Sequence, residues 1–288
     1  MGRYERDHNL DHAVIDSFGQ EWATFNYFGN ENDDALDAQF LAYCAPIDLS
    51  LFDTGTAVAA DFGAGSGRWT SRLLKTFSFI YALEPSNGAN EVLKDKFAGN
   101  SKVKILQETV GANSIPNCSL DLAVSLGVLH HIPDTGLGIK EISKKIKPGG
   151  YFLCYLYYDL EGKPWLYRLL FKLATSVRVV VSHFPQFYRK LASKVIALLI
   201  YWPFARFSKL LTRLGFDTSN FPLHHYEEMP FLFMANDALD RFGTTLEKRF
   251  NQEQITDMLL ESDFDISTLN FSSFEPFWTF SVQKPARG

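Results

Sequence analysis

The chain of 288 residues is 46% hydrophobic and 21% charged, which is enough material for one α/β core with an added segment. Its net charge of −5 argues against a protein that binds nucleic acids through a broad basic surface. The three cysteines, Cys44, Cys118 and Cys154, are odd in number and lack C-x-x-C spacing, so neither a disulfide framework nor a zinc site is predicted. The N-terminal residues include no apolar signal region, and together these features predict a cytoplasmic protein.

Residues 1–50 predict a helical leader ahead of the core. Phe18, Trp22 and Phe25 stand at helical spacing within an aromatic-rich segment. A helix that packs on the core explains this pattern, and so does a cap over a ligand site that brings Trp22 or Tyr27 near a substrate.

A glycine-rich turn follows the first strand of the core. The apolar residues 58–60 predict a buried parallel strand, which ends at Asp61. Gly63, Gly65 and Gly67 then allow a tight turn into a helix, but they run G-x-G-x-G and not the G-x-G-x-x-G of dinucleotide sites. A carboxylate beside the ligand suits an ammonium group better than a pyrophosphate.

Two further strands end next to titratable residues. Glu84 follows a strand over 79–83, where its carboxylate is placed to accept both hydroxyls of a ribose. An apolar strand over 120–126 precedes His130 and His131, at the sheet edge where ligands of α/β proteins bind. A neutral imidazole there could accept a proton from a substrate, and His131 is favoured over His130 for this role. The alternative is that at least one of the two histidines packs structurally.

These segments resemble the class I methyltransferases that depend on S-adenosyl-L-methionine (SAM), in particular the small-molecule, type 11 branch related to the quinone-biosynthesis enzymes. The resemblance rests on D-F-G-A-G-S-G at 61–67, S-L-D-L-A-V-S-L-G-V-L-H-H-I-P-D at 119–134 and K-P-G-G at 147–150. It covers roughly residues 57–160, with a weaker similarity over 250–284. It implies an α/β fold with a doubly wound, mostly parallel, seven-stranded Rossmann-like sheet, SAM as cofactor, S-adenosyl-L-homocysteine as product, and a transferase of the EC 2.1.1 class.

The resemblance also implies a set of residues around the cofactor, with Asp61 on the methionine ammonium and Glu84 on the ribose. The set is Asp61, Gly63, Ala64, Gly65, Ser66, Gly67, Glu84, Pro85, Thr109, Val110, Leu126 and Gly127. Thr109 stands near the position where the family often has an aspartate that contacts the edge of the adenine. In this chain, backbone amides would make that contact with the adenine instead.

Residues 161–235 form a helical insertion after the fifth strand, between the core segments 51–160 and 236–288. Ten basic residues and no acidic one lie between 162 and 216, so the other 18 basic and 33 acidic residues leave the rest of the chain at −15. Three interpretations stay open: a lid over the substrate site, a surface for peripheral contact with an anionic membrane or lipid-linked substrate, and a homodimer face. The longest uncharged run of this insertion, 195–205, is too short to span a bilayer, which needs about 20 residues.

His224, His225 and Tyr226, together with Trp278, are further candidates for the substrate side. Their spacing is not that of a zinc motif, so no metal is predicted.

The leading function is methyl transfer to a small metabolite, sugar or lipid-linked acceptor. An oxygen atom is favoured as the methyl acceptor because a histidine base would then have a purpose. A nucleic-acid substrate is not expected. The alternatives are a SAM-binding subunit without catalysis and, less favoured, an NAD-dependent oxidoreductase.

Overall fold

The computed structural model describes residues 4–5, 9–24, 33–160, 165–218, 221–272 and 277–286. The strands are β1 (Tyr4–Glu5), β2 (Leu10–Asp11), β3 (Val58–Phe62), β4 (Phe79–Leu83), β5 (Val103–Leu106), β6 (Leu120–Leu126), β7 (Ile146–Tyr157), β8 (Asp265–Phe271) and β9 (Phe277–Gln283). The helices are α1 (His12–Thr24), α2 (Asp33–Tyr43), α3 (Arg68–Leu73), α4 (Asn87–Lys96), α5 (Thr135–Lys145), α6 (Trp165–Ser182), α7 (Gln186–Ile196), α8 (Trp202–Arg213), α9 (Phe231–Gly243) and α10 (Gln252–Leu260).

The main sheet has seven strands in the order β5-β4-β3-β6-β7-β9-β8. The strands from β5 to β7 in this order pair in parallel, and the antiparallel strands β9 and β8 lie beside β7 at one lateral side of the sheet. This confirms the predicted doubly wound, mostly parallel sheet. Because the carboxyl ends of parallel strands meet at one edge, the residues that follow β3, β4, β6 and β7 come together there.

Both faces of the sheet are covered, which explains why its central strands are mostly apolar in sequence. On one face, Ala123 of β6 packs in a core with Ile142 of α5 and Ile255 of α10. On the other face, Val124 packs in a core with Trp69 of α3. Neighbouring residues of β6 thus face opposite layers, as the two-residue period of a strand requires.

The chain divides into two compact units, which we call the core unit (Met1–Glu161 with Leu246–Gly288) and the helical unit (Gly162–Thr245). The predicted insertion over 161–235 begins at the same place but ends inside α9. The whole of α9 belongs to the helical unit because Met234, Ala238 and Phe242 are buried in the apolar core of that unit.

In the helical unit, α7 continues through a π-helical turn, Ala197–Tyr201, directly into α8. By length and composition, the stretch Phe187–Arg213 is a helix that could cross a membrane. The sequence analysis expected no segment long enough to span a membrane, because it counted only the uncharged run over 195–205. The helix in the structure is longer, since it continues past the cations at both ends of that run.

Candidate functional site

The glycine turn lies at the carboxyl end of β3. Gly63, Gly65 and Gly67 have φ angles of +83°, +55° and +76°, a region that side-chain-bearing residues rarely adopt. A Cβ atom added at Gly63 would lie 2.3 Å from Cγ2 of Val128, just after β6. The first glycine is therefore required both for its backbone conformation and for the close approach of the two chain segments.

We expect Gly63→Ala to destabilise the protein more than Gly99→Ala, since Gly99 also has a positive φ (+73°) but would place its added Cβ in open space. Left-handed strain alone predicts a loss of about 1–2 kcal/mol in the free energy of unfolding for Gly99→Ala. Overlap with Val128 adds about 1–3 kcal/mol for Gly63→Ala. Urea unfolding measures both losses. Adding Val128→Ala to the Gly63 variant should recover part of its loss, and equal losses in the two single variants would contradict the close approach.

Asp61 is a buried carboxylate near the end of β3, with 1% of its surface exposed. Its Oδ2 accepts a hydrogen bond of 2.7 Å from Oγ1 of Thr70. The pKa of Asp61 is raised to about 6, chiefly by burial and also by the nearby Glu84 carboxylate, against the effect of the Thr70 hydrogen bond. Since a carboxylate accepts about four hydrogen bonds, Asp61 retains capacity for a cationic ligand, whose charge would favour its ionised form.

Glu84 ties the glycine turn to the end of β4. Its Oε1 accepts hydrogen bonds from the backbone N–H (2.9 Å) and the hydroxyl (2.6 Å) of Ser86, and its Oε2 accepts one from the backbone N–H of Gly65 at 3.0 Å. Burial raises the pKa of Glu84, while these hydrogen bonds act in the opposite direction. The second lone pair of Oε2 gives the carboxylate further acceptor capacity beside the turn, which suits a ribose hydroxyl.

His131 lies in the short helical turn Leu129–His131 that follows β6. Its Nδ1 is 2.7 Å from the backbone carbonyl oxygen of Leu246. Donation from Nδ1 to this carbonyl makes Nε2 the acceptor nitrogen of the neutral ring. The side chain is only 4% exposed, so the carbonyl fixes both its tautomer and its orientation.

His130 has a different environment from its neighbour. Its ring is fully buried and stacks on Tyr157 with a centroid distance of 3.9 Å. Within the described part of the chain, no hydrogen bond of ordinary geometry reaches its ring nitrogens, although the nearby Tyr155 backbone acts as a weak hydrogen-bond partner that raises the pKa of the ring. Burial, followed by the nearby charges of His131 and Arg249, holds the pKa of His130 well below its usual range. His130 therefore has the properties of a neutral packing residue, and the proton-acceptor role predicted for either histidine stays a prediction.

Two tyrosines of β7 join this cluster, although the sequence analysis did not select them. The ring centroids of Tyr155 and Tyr157 lie 5.7 and 3.9 Å from that of His130. A Cβ added at Gly127, where φ is +82°, would lie 3.6 Å from the Tyr155 ring. The signal was present in the sequence, because residues two apart at the carboxyl end of a strand share a face.

Helix α1 crosses the same edge of the sheet. A Cβ added at Gly19 would lie 2.6 Å from Cβ of Ser86, after β4, and the Phe18 ring lies 4.9 Å from that of His131, after β6. The strand β3 lies between β4 and β6 in the sheet order, so α1 passes over the end of β3 and its glycine turn. The side chain of Trp22, on α1, and all of Tyr27 lie outside what the structure describes.

The side chains of His224 and Tyr226 make structural contacts inside the helical unit. Nδ1 of His224 is 2.8 Å from Oε1 of Glu227, an oxygen that also accepts hydrogen bonds from Ser208, Thr212 and Thr218. The hydroxyl of Tyr226 is buried and donates to Asp237 at 2.7 Å. The side chain of His225 lies outside the described residues.

The remaining predicted residues of the core unit have no contact that assigns them a role. Trp278, on β9, donates from Nε1 to the carbonyl oxygen of Phe250 at 2.8 Å. Ala64, Ser66, Val110 and Leu126 are buried, and Oγ1 of Thr109 accepts from the backbone N–H of Ala112 at 3.1 Å. In the described part of the chain, no group of three or more His, Cys, Asp or Glu residues is placed to hold a metal ion.

Residues 60–154 match a family of proteins described as a methyltransferase domain. This segment extends from β3 into β7 and includes the glycine turn, Glu84 and both histidines. An uncharacterised methyltransferase of Mycobacterium tuberculosis is 28% identical over 108 residues, which cover 38% of this chain and 54% of the relative. An uncharacterised methyltransferase of Bacillus thuringiensis is 26% identical over 133 residues, which cover 45% of this chain and 61% of the relative. The chain thus spans little more than half the length of the curated relatives it matches.

Two solved structures share the fold along most of the chain. A chain from the Haloferax volcanii complex with the Trm112 methyltransferase activator has a TM-score of 0.51 at 13% identity, covering 94% of this chain and 98% of its own. Human N-acetylserotonin methyltransferase, solved in complex with SAM, has a TM-score of 0.50 at 14% identity. The match covers 95% of this chain and 65% of the human one. At these identities the likeness concerns the fold alone.

Proposed function

We propose that this chain, whose residues 60–154 match a methyltransferase domain, is a class I enzyme that transfers a methyl group from SAM to a hydroxyl oxygen of a small metabolite, sugar or lipid-linked acceptor. The observation that supports SAM most strongly is the placement of two buried carboxylates, Asp61 and Glu84, at the ends of adjacent strands around a glycine turn. An ammonium group beside Asp61 gains a favourable charge interaction there. A pyrophosphate at the same place would be repelled.

In this proposal each carboxylate binds a different part of the cofactor. Asp61 pairs with the methionine ammonium, and Glu84 accepts a ribose hydroxyl at Oε2. The glycine turn contributes backbone close to the ligand because Gly63 and Gly65 have no side chains. The hydrogen bond that the Gly65 N–H donates to Glu84 holds the glycine turn and this carboxylate in one arrangement before the ligand binds. This reduces the conformational entropy that is lost on binding.

When bound, SAM supplies a methyl group that its sulfonium already activates. The chain then has to hold the acceptor oxygen in line with the methyl carbon and the sulfur, and to exclude water. Held by Asp61, Glu84 and the glycine turn, SAM would supply this methyl group to the oxygen lone pair and would leave as S-adenosyl-L-homocysteine, which keeps the electron pair of the broken carbon–sulfur bond. The hydroxyl proton passes to Nε2 of His131, which the carbonyl of Leu246 keeps in the acceptor tautomer. Helix α1, which contacts His131 through Phe18, excludes water from this edge of the sheet.

The affinity for SAM should depend on pH through Asp61, whose pKa in the free protein is about 6. The ammonium pairs with the ionised carboxylate, so the dissociation constant should be constant above that pKa. It should rise by about tenfold per pH unit below it, because a proton must then be displaced. Calorimetric titration between pH 5 and 8 measures this, with Asp61→Asn as the variant whose profile should be much flatter. A flat profile in the unmodified protein would exclude Asp61 as the ammonium partner.

The acceptor class is tested by incubating the protein and methyl-labelled SAM with an extract of the source cells. Label that partitions into the organic phase indicates a lipid or lipid-linked acceptor, and label in the aqueous phase indicates a soluble metabolite or saccharide. Mild base treatment then separates esters from ethers and amines. A protein that binds SAM but transfers no label to any fraction would contradict the enzymatic function and favour a SAM-binding subunit.

A further inference from the structure

The helical unit exposes most of the large apolar side chains that lie on the surface. Of the 25 such side chains that are exposed in the described part of the chain, 21 belong to residues 162–245. Soluble monomers rarely expose contiguous apolar patches larger than a few hundred Å², and larger ones mark binding surfaces. The helical unit therefore needs a partner of some kind.

Fourteen of these 21 exposed apolar residues follow two helices at intervals of mostly three or four positions, which places the fourteen along one face of each helix. We call these faces the apolar stripes. On α6 and the short segment after it the stripe is Trp165, Leu169, Leu173, Val177, Val180 and Phe184, and on the helix from α7 to α8 it is Phe187, Leu191, Val195, Leu198, Leu199, Trp202, Phe207 and Leu210. All of these side chains are between 42% and 72% exposed.

The π-helical turn keeps the second stripe on one face. On the opposite face, Ser193, Ala197, Tyr201 and Ala205 recur every four residues, and all four are buried. In a regular α-helix a four-residue repeat rotates by about 40° at each step, so the buried row would turn away from its partners. The wider turn at Ala197–Tyr201 offsets this rotation. The same side of the helix therefore stays buried, and the apolar stripe stays exposed, from α7 to α8.

Positive charge accompanies both stripes. Arg168 and Lys172 are exposed on α6, and Lys194 and Arg213 are exposed on the second helix. Residues 162–216 contain no acidic side chain, so no acid within this segment can neutralise these cations. Exposed apolar residues that include tryptophan and phenylalanine, combined with lysine and arginine, are typical of helices that lie in the surface of an anionic bilayer.

We propose that the two apolar stripes form a docking surface for an anionic lipid bilayer, with both helices lying in the plane of the headgroups. The second helix lies in this plane and does not span the bilayer, because its other face is packed inside the protein. Arg189 and Arg206 strengthen that packing by donating hydrogen bonds to the backbone carbonyls of Gly243 and of Glu227 and Met229. A second copy of the chain is a less suitable partner, since two identical faces bring like charges together. This surface is inferred independently of methyl transfer.

The test is flotation of the full chain with vesicles of neutral phosphatidylcholine alone or with about one third phosphatidylglycerol. We expect flotation with the anionic vesicles at low salt and its loss as salt screens the charges. Replacing Arg168, Lys172, Lys194 and Arg213 with Gln should lower the partition coefficient at least tenfold, since each cation near an anionic surface contributes roughly a fivefold effect.

A matched pair of variants separates this surface from general hydrophobicity. The first carries Leu191→Ser, Leu198→Ser and Leu199→Ser, at positions that are 50%, 54% and 66% exposed on the stripe. The control carries Leu41→Ser, Leu51→Ser and Leu260→Ser, at positions that are 62%, 55% and 63% exposed in the core unit. We expect at least a tenfold loss of vesicle binding in the first and binding within about twofold of the original in the control. Circular dichroism checks that both variants remain folded.

Three results would overturn the proposal. Equal losses in the two leucine variants would show that the stripe has no special role. Resistance of the bound protein to extraction with alkaline carbonate would show a spanning helix instead of an interfacial one. Failure to float with anionic vesicles at low salt, together with a dimer by light scattering that the stripe variant disrupts, would assign the surface to a second copy of the chain.

Discussion

Replacing His131 with Gln should lower methyl transfer by about 10² to 10⁴-fold at saturating acceptor, because a positioned general base contributes an effect of that size. The affinity for SAM should stay within about threefold of the original, because the proposed cofactor contacts lie at Asp61, Glu84 and the glycine turn. Single-turnover transfer of labelled methyl to the acceptor fraction measures the first quantity, and calorimetry measures the second.

His130→Phe is the companion variant that tells the two histidines apart. The ring of His130 is fully buried and stacks on Tyr157, so an apolar ring should keep the packing and remove a desolvation cost. We expect a stability equal to or above that of the original protein and a much smaller effect on turnover than at His131. The opposite ranking of the two variants would make His130 the base, and unchanged turnover in both would remove the histidines from the mechanism.

Asp61→Asn should weaken SAM binding by about 30-fold or more, since removing one partner of a buried charge pair typically costs 2–5 kcal/mol of binding free energy. Asparagine still accepts the hydrogen bond from Thr70, so the local structure should persist. Asp121→Asn is the control, because Asp121 stands at the opposite edge of the sheet in a half-exposed pair with Lys147. SAM binding by the control should be unchanged.

The same substitution should stabilise the protein when no cofactor is bound. The pKa of Asp61 is raised from 3.8 to about 6 on folding, so the folded state resists ionisation. This lowers stability as pH rises from about 4 to 6, and the full loss is present at pH 7. Asp61→Asn removes the buried charge and should therefore raise the free energy of unfolding at pH 7 by up to about 3 kcal/mol. A variant that loses SAM affinity and is also less stable would indicate a disturbed fold and not a lost ligand contact.

The sequence was sufficient to predict the sheet and the glycine turn at the carboxyl end of β3. Closely spaced glycines after an apolar run and an acid predict a tight turn with positive φ angles. All three glycines of the turn have positive φ in the structure. The strand predicted over 79–83 is β4, so Glu84 directly follows a strand as expected, and the structure adds its contact with the turn. These predictions succeed because strand ends and glycine conformations are determined by neighbouring residues.

Other features depend on contacts between residues far apart in the sequence, and no local pattern predicts them. Gly19 is an ordinary helix residue in sequence, yet its lack of a side chain permits α1 to approach Ser86. The carbonyl of Leu246 orients His131 from 115 positions away. The helical unit also extends past residue 235, where the insertion was predicted to end, because the membership of α9 in that unit depends on which core buries Met234 and Phe242.

The cluster of His224 and Tyr226 illustrates a different limit. Histidine, tyrosine and acids close together in sequence suggest a reactive loop, but a buried acid with several hydrogen-bond donors produces the same composition. Burial alone would raise the pKa of Glu227, yet hydrogen bonds from Ser208, His224 and two threonines lower it to about 2. The sequence shows which residue types are present, and only the packing shows that they satisfy one another.

Cofactor choice tests the central claim most directly, and it is measured by titrating SAM and NADH separately into the same preparation. We predict binding of SAM and of S-adenosyl-L-homocysteine that Asp61→Asn abolishes or greatly weakens, with no heat from NADH. Saturable binding of NADH in the absence of SAM binding would contradict the assignment of Asp61, the glycine turn and Glu84 to a SAM site.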